Sequence, residues 1–500
     1  MLDLVVEGNA YLDGALNKCC IGIENGKIVA IKKILKGDQH FDFGDKLLLP
    51  AGVDIHVHFR DPGFLNKEDF YTGTLSAAFG GISCIFDMPN TKPAVNSKKT
   101  VLEKLKIVSK KSLIDFGLYS SISSRTNITA TAKVCSAFKI YLASTTGDLL
   151  FSDKNSLDYV LSKINDNNRI PTIHAESEDV ILALKKQNPP PKNLHEHLRA
   201  RPNDAEAQAV SNILKIMSHW DLNNNIKSHK DQKSIDKTNL LKNEIKNITK
   251  SMNLLKSNSN KGLDISETPK PSSTTSTIPL DTDNLNKKHV HICHVTTSEG
   301  VSLIREFLKS NTQESVVLTS EVTPHHLLLN ERFDGNTFGK VNPPLRRVED
   351  QAALWSALTD GIINIIASDH APHTIEEKNN EFALAPSGIP GVETMLPLMF
   401  SHVKHNRLPL EKVINAITST PAALFQLPKG RLANGYDGDL IVIDFYKEND
   451  IKAKNLHSKC EWTPYENMAA IFPLLTVVRG NIIVKDSNLE ADPGLGKFYN

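Results

Sequence analysis

The feature that most narrows the folds open to this chain is an alternation. Short apolar, β-rich runs recur between residues 52 and 368, and helix-patterned segments lie between several of them. The pattern predicts strands at Gly52–Phe59, Ile82–Met88, Asp115–Ser121, Ala137–Leu142, Arg169–Glu176, Val290–Val295, Ser315–Val322 and Ile362–Ser368. It predicts helices at Lys98–Ser109, Asp204–His219, Thr297–Lys309 and Val348–Thr359. Strands alternating with helices call for a parallel sheet. Eight of them, rich in Val, Ile and Leu, suit a closed barrel better than an open one. An open doubly wound sheet is the alternative, weakened because no Gly-rich fingerprint follows the first strand.

The two ends read differently from the middle. Residues 1–50 are short apolar runs separated by turns, with Asn25-Gly26 a hairpin signal. The end repeats the style in GDLIVIDF and FPLLTVVRGNIIVKD. The fold class expected is therefore α/β, a (β/α)8 TIM barrel at 51–428, with a small β-sandwich built from 1–50 and 429–500. One segment does not belong to either unit. Residues 221–288 are mostly Asn, Lys, Ser and Thr without Phe, Tyr or Trp, too polar to offset the entropy of ordering. It is read as a disordered αβ insertion on the barrel face opposite the chemistry, with a partner-binding segment as the alternative.

Charge removes some function classes. The formal net charge is +1, from 58 basic and 57 acidic side chains, which gives no one-sided field for nucleic acid or an acidic membrane. No apolar run approaches the roughly 20 residues of a bilayer span, and the start has no signal-peptide pattern. The six cysteines lack CxxC spacing, so they read as buried reduced thiols in a cytoplasmic protein.

The chemistry gathers at strand ends. In VDIHVHFRDPG, His56 and His58 are two apart and share a strand face, with Arg60 in the same parity. Two imidazoles so placed can hold one metal. Lys139 lies on an otherwise apolar strand, where an ammonium is costly unless paired or removed. Loss of its proton and addition of CO2 would make a carbamate; an ion pair with a nearby carboxylate is the alternative. His174 closes the fifth strand. In VHICHV, inward-facing Val290 and Ile292 would place His294 inward and turn His291 outward to a structural role. Asp369 ends a row formed by Ile363, Ile365 and Ala367, where a carboxylate can bind metal and take a proton from metal-bound water.

With HVHFRDPG, AFKIYL, HAE, HICHV and ASDHAPH together, the chain resembles the amidohydrolase superfamily and, within it, the dihydroorotases, over nearly its whole length apart from the insertion. The resemblance implies reversible cyclisation of N-carbamoyl-L-aspartate to L-dihydroorotate in pyrimidine biosynthesis. It implies two divalent ions, with Zn2+ favoured by the imidazole-rich set. One would be held by His56, His58, Asp369 and carbamylated Lys139, the other by that carbamate, His174 and His294. Asp369 would be the catalytic base in hydrolysis and the acid in cyclisation. Arg60, Asn90 and His373 match positions that grip the substrate carboxylate, and Asn342 one that contacts the ring. The segment containing Pro386 and Gly388 matches a loop offering backbone groups to the ring amide. Asn90 and Gly388 could be plain turn residues, and Arg60 could pair with Asp61 or Glu68. Hydantoinase or allantoinase activity, and a non-catalytic scaffold for a carbamoyltransferase, are the competing functions. FRDPG and MPNT favour dihydroorotase over the first pair, and the complete ligand set opposes the scaffold. A homodimer and a carbamoyltransferase partner are further implications of the resemblance. ASTTGD (143–148) reads equally as a mobile lid or a fixed turn.

Overall fold

A computed structural model describes residues 1–123, 126–145, 149–228, 287–311 and 316–500, with the side chains of Lys154 and of 221–228 left aside. Its centre is a parallel eight-stranded sheet. The strands are β5 (Gly52–Val57), β6 (Ile82–Asp87), β7 (Asp115–Ser121), β8 (Ala137–Tyr141), β9 (Pro171–His174), β10 (Lys288–Ile292), β11 (Val316–Val322) and β12 (Ile365–Ile366). They pair in sequence order from β5 to β12, every pairing parallel. A parallel bridge between Val57 and His370 then joins the last strand to the first, with His58 N donating to His370 O at 2.8 Å. The expected (β/α)8 barrel is thus present, with every strand centred in a segment read from the sequence.

The termini build one module. In chain order its strands are β1 (Leu2–Leu12), β2 (Ala15–Glu24), β3 (Lys27–Lys32), β4 (Gly37–Pro50), β13 (Leu440–Ile443), β16 (Leu475–Val478), β17 (Asn481–Lys485) and β18 (Asn488–Leu489). The two-residue strands β14 (Asn449–Asp450) and β15 (Ala469–Ala470) pair separately. β4 is the join, parallel to β1 and antiparallel to β13. Leu4, Val6, Ile21 and Ile23 share one buried cluster with Leu440, Val442, Leu475 and Val477, so N- and C-terminal strands enclose a common core. Burying these side chains at roughly 1.5–3 kcal/mol each ties the two ends of the chain together.

An ionic cluster fastens this module to the barrel. Lys429 Nζ, fully buried, lies 2.7 Å from Asp115, 3.1 Å from Asp437 and 2.6 Å from Asp439, and Arg479 adds a 3.0 Å bridge to Asp115 at the start of β7. The lysine occupies the space between three carboxylates, which is why so many charges are tolerated there.

The helix Asn203–Ser228 runs beyond its expected end. Of the polar insertion read at 221–288, residues 229–286 lie outside the described residues. So do residues 146–148 of the segment that could be lid or turn. All six cysteines are buried and free. No helix among the described residues is long and apolar enough to cross a membrane.

Candidate active site

The strand ends deliver their side chains to one cleft. His56 and His58 from β5, Lys139 and Tyr141 from β8, His174 from β9, His294 after β10 and Asp369 after β12 line it with Arg60, Asn90, Asn342 and Gly388. His373 stands directly behind, 3.2 Å from the Arg60 guanidinium. Of the residues expected from sequence, Pro386 and His373 do not line the cleft, and the backbone groups of the Pro386–Gly388 loop are engaged elsewhere: the Pro386 and Gly388 carbonyls accept from Lys378 at 3.0 and 3.1 Å, and the Gly388 N–H donates to Lys340 O at 2.9 Å.

Three of the residues here have left-handed backbone. Arg60, His294 and Asp369 have φ of 62°, 32° and 45°, a left-handed region costing a non-glycine residue about 1–3 kcal/mol. The turn at His294 also corrects the strand-parity argument. Val290 and Ile292 pack in the outer core with Val301 and Ile304 of the following helix. His291 is the residue that points into the barrel, bonded to Thr319 at 2.9 Å and Glu321 at 2.9 Å. His294 reaches the cleft because its positive φ breaks the alternation, which no periodicity could show. The structural role assigned to His291 stands, but its outward direction does not.

The donor set fits a pair of cations. His56 Nε2 and His58 Nε2 converge on one oxygen of Asp369 at 3.3 and 3.0 Å. Lys139 Nζ is 3.5 Å from His56 Nε2. Nδ1 of His174 and Nε2 of His294 face each other at 3.1 Å, and His294 Nδ1 is buried without a partner. Burial pushes the His58 imidazole down to about 4 and lowers His174 and His294 as well, favouring the neutral ring a metal ligand requires. Burial and Lys139 push His56 down too, but Glu321 and Asp369 overcome them and raise it to about 10. Burial pushes Asp369 up, but His56 and His58 overcome it and hold the carboxyl ionised.

An outer layer sets the tautomers. His58 Nδ1–H donates to Asn90 Oδ1 at 2.6 Å, and His174 Nε2–H to Glu176 at 2.8 Å. His56 Nδ1 bonds Glu321. Each bond turns the opposite nitrogen's lone pair to the cleft. Glu176 is itself held by Arg201, whose Nε lies 3.1 Å from Oε2. Sequence reasoning missed Glu176, Glu321, Cys293 and Tyr141. Glu176 was within reach, two residues past His174 and on its face. Glu321 ends β11 as Asp369 ends the β12 row, a signal that was there to be read. Cys293 Sγ lies 2.8 Å from Lys139 Nζ and, with His56 and Glu321, forms a second group of ligand-type atoms.

Arg60 is the informative member. It is 3% exposed, and among the described residues no carboxylate oxygen comes within 4.0 Å of it. The structural alternatives fall away, because Asp61 pairs with Lys111 at 2.6 Å and Glu68 bonds Thr72 and Ser458. Arg60 Nε, Tyr141 OH and Asn342 Oδ1 are all buried without a partner among the described residues. A cleft with a bare guanidinium and unsatisfied polar atoms is built for an anionic, hydrogen-bonding ligand.

The chain belongs to the amidohydrolase family, whose model matches residues 47–483. Curated relatives that match it over nearly its whole length are dihydroorotases from archaea. It is 35% identical to the dihydroorotase of Methanosarcina acetivorans over 98% of this chain and 93% of that protein. It is 31% identical to the dihydroorotase of Thermoplasma acidophilum, over 99% and 98% respectively. The fold is shared with an L-hydantoinase (dihydropyrimidinase) from Arthrobacter aurescens, with a TM-score of 0.81 at 24% identity over 100% of this chain and 99% of that one.

Proposed function

We propose that this chain is a dihydroorotase, a cyclic amide hydrolase that interconverts L-dihydroorotate and N-carbamoyl-L-aspartate. The observation that carries the reading is Arg60, a buried cation with no carboxylate within 4.0 Å among the described residues, beside a histidine-rich ligand set. The ring carboxylate of dihydroorotate supplies the missing charge, which hydantoin and allantoin do not. The named dihydroorotase relatives support the same choice.

His56, His58, Asp369 and Lys139 would hold one divalent ion, and Lys139, His174 and His294 the other, with Lys139 carbamylated and zinc as the metal. When bound, such a pair lowers the pKa of a shared water and polarises a carbonyl. The chain's own work is then positional. Arg60 takes the ring carboxylate, with Asn90 and His373 alongside, and Asn342 meets the ring. Asp369 accepts the proton of the attacking water and delivers it to the ring nitrogen as the C–N bond breaks, giving the carbamoyl and carboxylate groups of the product. In cyclisation the same carboxyl group returns the proton to the departing oxygen. Pro386 and Gly388 belong to a loop that borders the ring.

The reading extends to a cytoplasmic enzyme with domains at 1–50, 51–428 and 429–500, to a homodimer and to a carbamoyltransferase partner. Sedimentation with and without that transferase tests the last two. The function itself is tested by steady-state hydrolysis of L-dihydroorotate, hydantoin and allantoin. Selective turnover of the first is expected. Turnover of hydantoin or allantoin alone would keep the family and overturn the substrate.

A further inference from the structure

Behind the cleft, two buried lysines have no acidic partner. Lys378 is 0% and Lys340 7% exposed, and among the described residues no carboxylate oxygen lies within 4.0 Å of either. Their partners are backbone carbonyls, all from one loop except Lys340 O, which lies 3.4 Å from Lys378 Nζ. Lys340 Nζ donates to Phe382 O and Ala385 O, both at 2.6 Å. Lys378 Nζ donates to Pro386 O at 3.0 Å and Gly388 O at 3.1 Å. The carbonyl between them, Ser387 O, lies 3.1 Å from His373 Nε2. Every carbonyl from Ala385 to Gly388 is therefore drawn toward a donor.

Burying a bare ammonium costs several kcal/mol, so two of them on one loop require a return from that loop. Ser387 and Gly388 line the cleft. The loop is also pressed against the segment after β12. Gly388 has φ 149°, and a Cβ there would come 2.3 Å from Ala371 O and 2.9 Å from His373 Cδ2. Consecutive carbonyls repel one another when forced to one side, and a cation removes that repulsion. Burial lowers Lys378 to about 7, yet the amine donates in either protonation state.

We propose that Lys340 and Lys378 are positioning residues that clamp the 382–388 loop by its carbonyls and so fix the wall against which the substrate ring lies. Neither lysine touches the ligand-set atoms, so their effect is on substrate binding and not on the metal centre. The part concerning the ring rests on the dihydroorotase reading. The part concerning the loop does not.

The test compares the wild-type enzyme with Lys378→Met and Lys340→Met, using hydrogen exchange across the 379–391 peptide, metal content and steady-state kinetics on L-dihydroorotate. Methionine keeps the volume of the side chain and loses its donors. Faster exchange confined to the loop is expected, with KM raised about tenfold, the effect of roughly 1.4 kcal/mol. Values of kcat within about threefold and unchanged metal content complete the expected result. Lys378→Gln, which retains a donor, should lie between the two. Unchanged loop exchange, or faster exchange with unchanged KM in an active enzyme, overturns the proposal. Loss of metal in step with activity overturns it too, because the lysines would then act through general stability. A wild-type protein inactive on L-dihydroorotate would sink the dihydroorotase reading instead, leaving the clamp to be judged from exchange. Should Lys378→Met fail to fold, Lys340→Met and Lys378→Gln carry the same readouts.

Discussion

Replacing Arg60 with methionine should cripple turnover of L-dihydroorotate without weakening the fold. The guanidinium is 3% exposed and has no carboxylate within 4.0 Å among the described residues. His373 is no substitute partner. If its Nδ1 accepts from Lys67 at 3.1 Å and its Nε2–H donates to Ser387 O at 3.1 Å, it has no lone pair left for Arg60. The substrate carboxylate is then the counter-charge that can reach it in direct contact, since Asp369, Asp87 and Glu377 act on it from beyond 4.0 Å. Removing one partner of a buried charge pair costs about 2–5 kcal/mol, so kcat/KM should fall roughly 30- to 5,000-fold. Stability should hold or rise, because the free protein loses a charge it had to desolvate. The assay is hydrolysis of L-dihydroorotate alongside thermal melting and binding of 5,6-dihydrouracil, the same ring without the carboxylate. Binding of dihydrouracil should be nearly unchanged. An equal loss for both ligands, or a lower melting temperature with kcat/KM intact, would refute the argument.

Other perturbations have different signatures. Tyr141→Phe removes a buried hydroxyl that has no partner among the described residues, so melting should not fall, while KM for L-dihydroorotate rises by about 3- to 10-fold, the worth of one hydrogen bond. Glu176→Gln strands Arg201 and releases the His174 tautomer; it should cost about 3–5 kcal/mol of stability and weaken metal binding roughly 10- to 100-fold, read by denaturant titration and metal analysis. The same residue sets an acid limb. Burial pushes Glu176 up, but Arg201 and His174 hold it well below its ordinary 4.5, so its stabilising contribution is complete above that value. It is lost as pH falls further and the native carboxylate must be protonated. Glu176→Gln should flatten that limb of the stability profile, and an unaltered slope would deny the pairing. Lys139→Ala should lower bound metal and hydrolysis together, whereas metal content equal to wild type would remove Lys139 from the ligand set.

Much of this site was legible in the sequence because polar groups on apolar barrel strands are conspicuous. His56, His58, Lys139, His174 and Asp369 each interrupt or end an apolar run, and the fold brings all five to one cleft. Parity arguments worked where strands are regular and failed at β10. There Val290 and Ile292 face the outer helices, and one left-handed residue returns His294 to the cleft. The outer carboxylates were visible by the same logic but needed pairing across β5, β10 and β11 to acquire meaning. Lys340 and Lys378 were beyond reach, because a lysine in an irregular or one-turn segment reads as solvated until the chain closes over it. Arg60 lay between these cases. Its place at a strand end was plain, while the absence of a counter-charge depends on Asp61 and Glu68 having found other partners.

The central claim is that a metal-loaded histidine cleft with an unpaired arginine hydrolyses dihydroorotate. Metal content and L-dihydroorotate turnover measured on one sample, before and after chelation and after metal is restored, test it most directly. A pair of divalent ions per chain is expected, with activity lost as they leave and regained when they return. Full turnover by chelated, metal-free protein, or no turnover by folded protein carrying both ions, would contradict it.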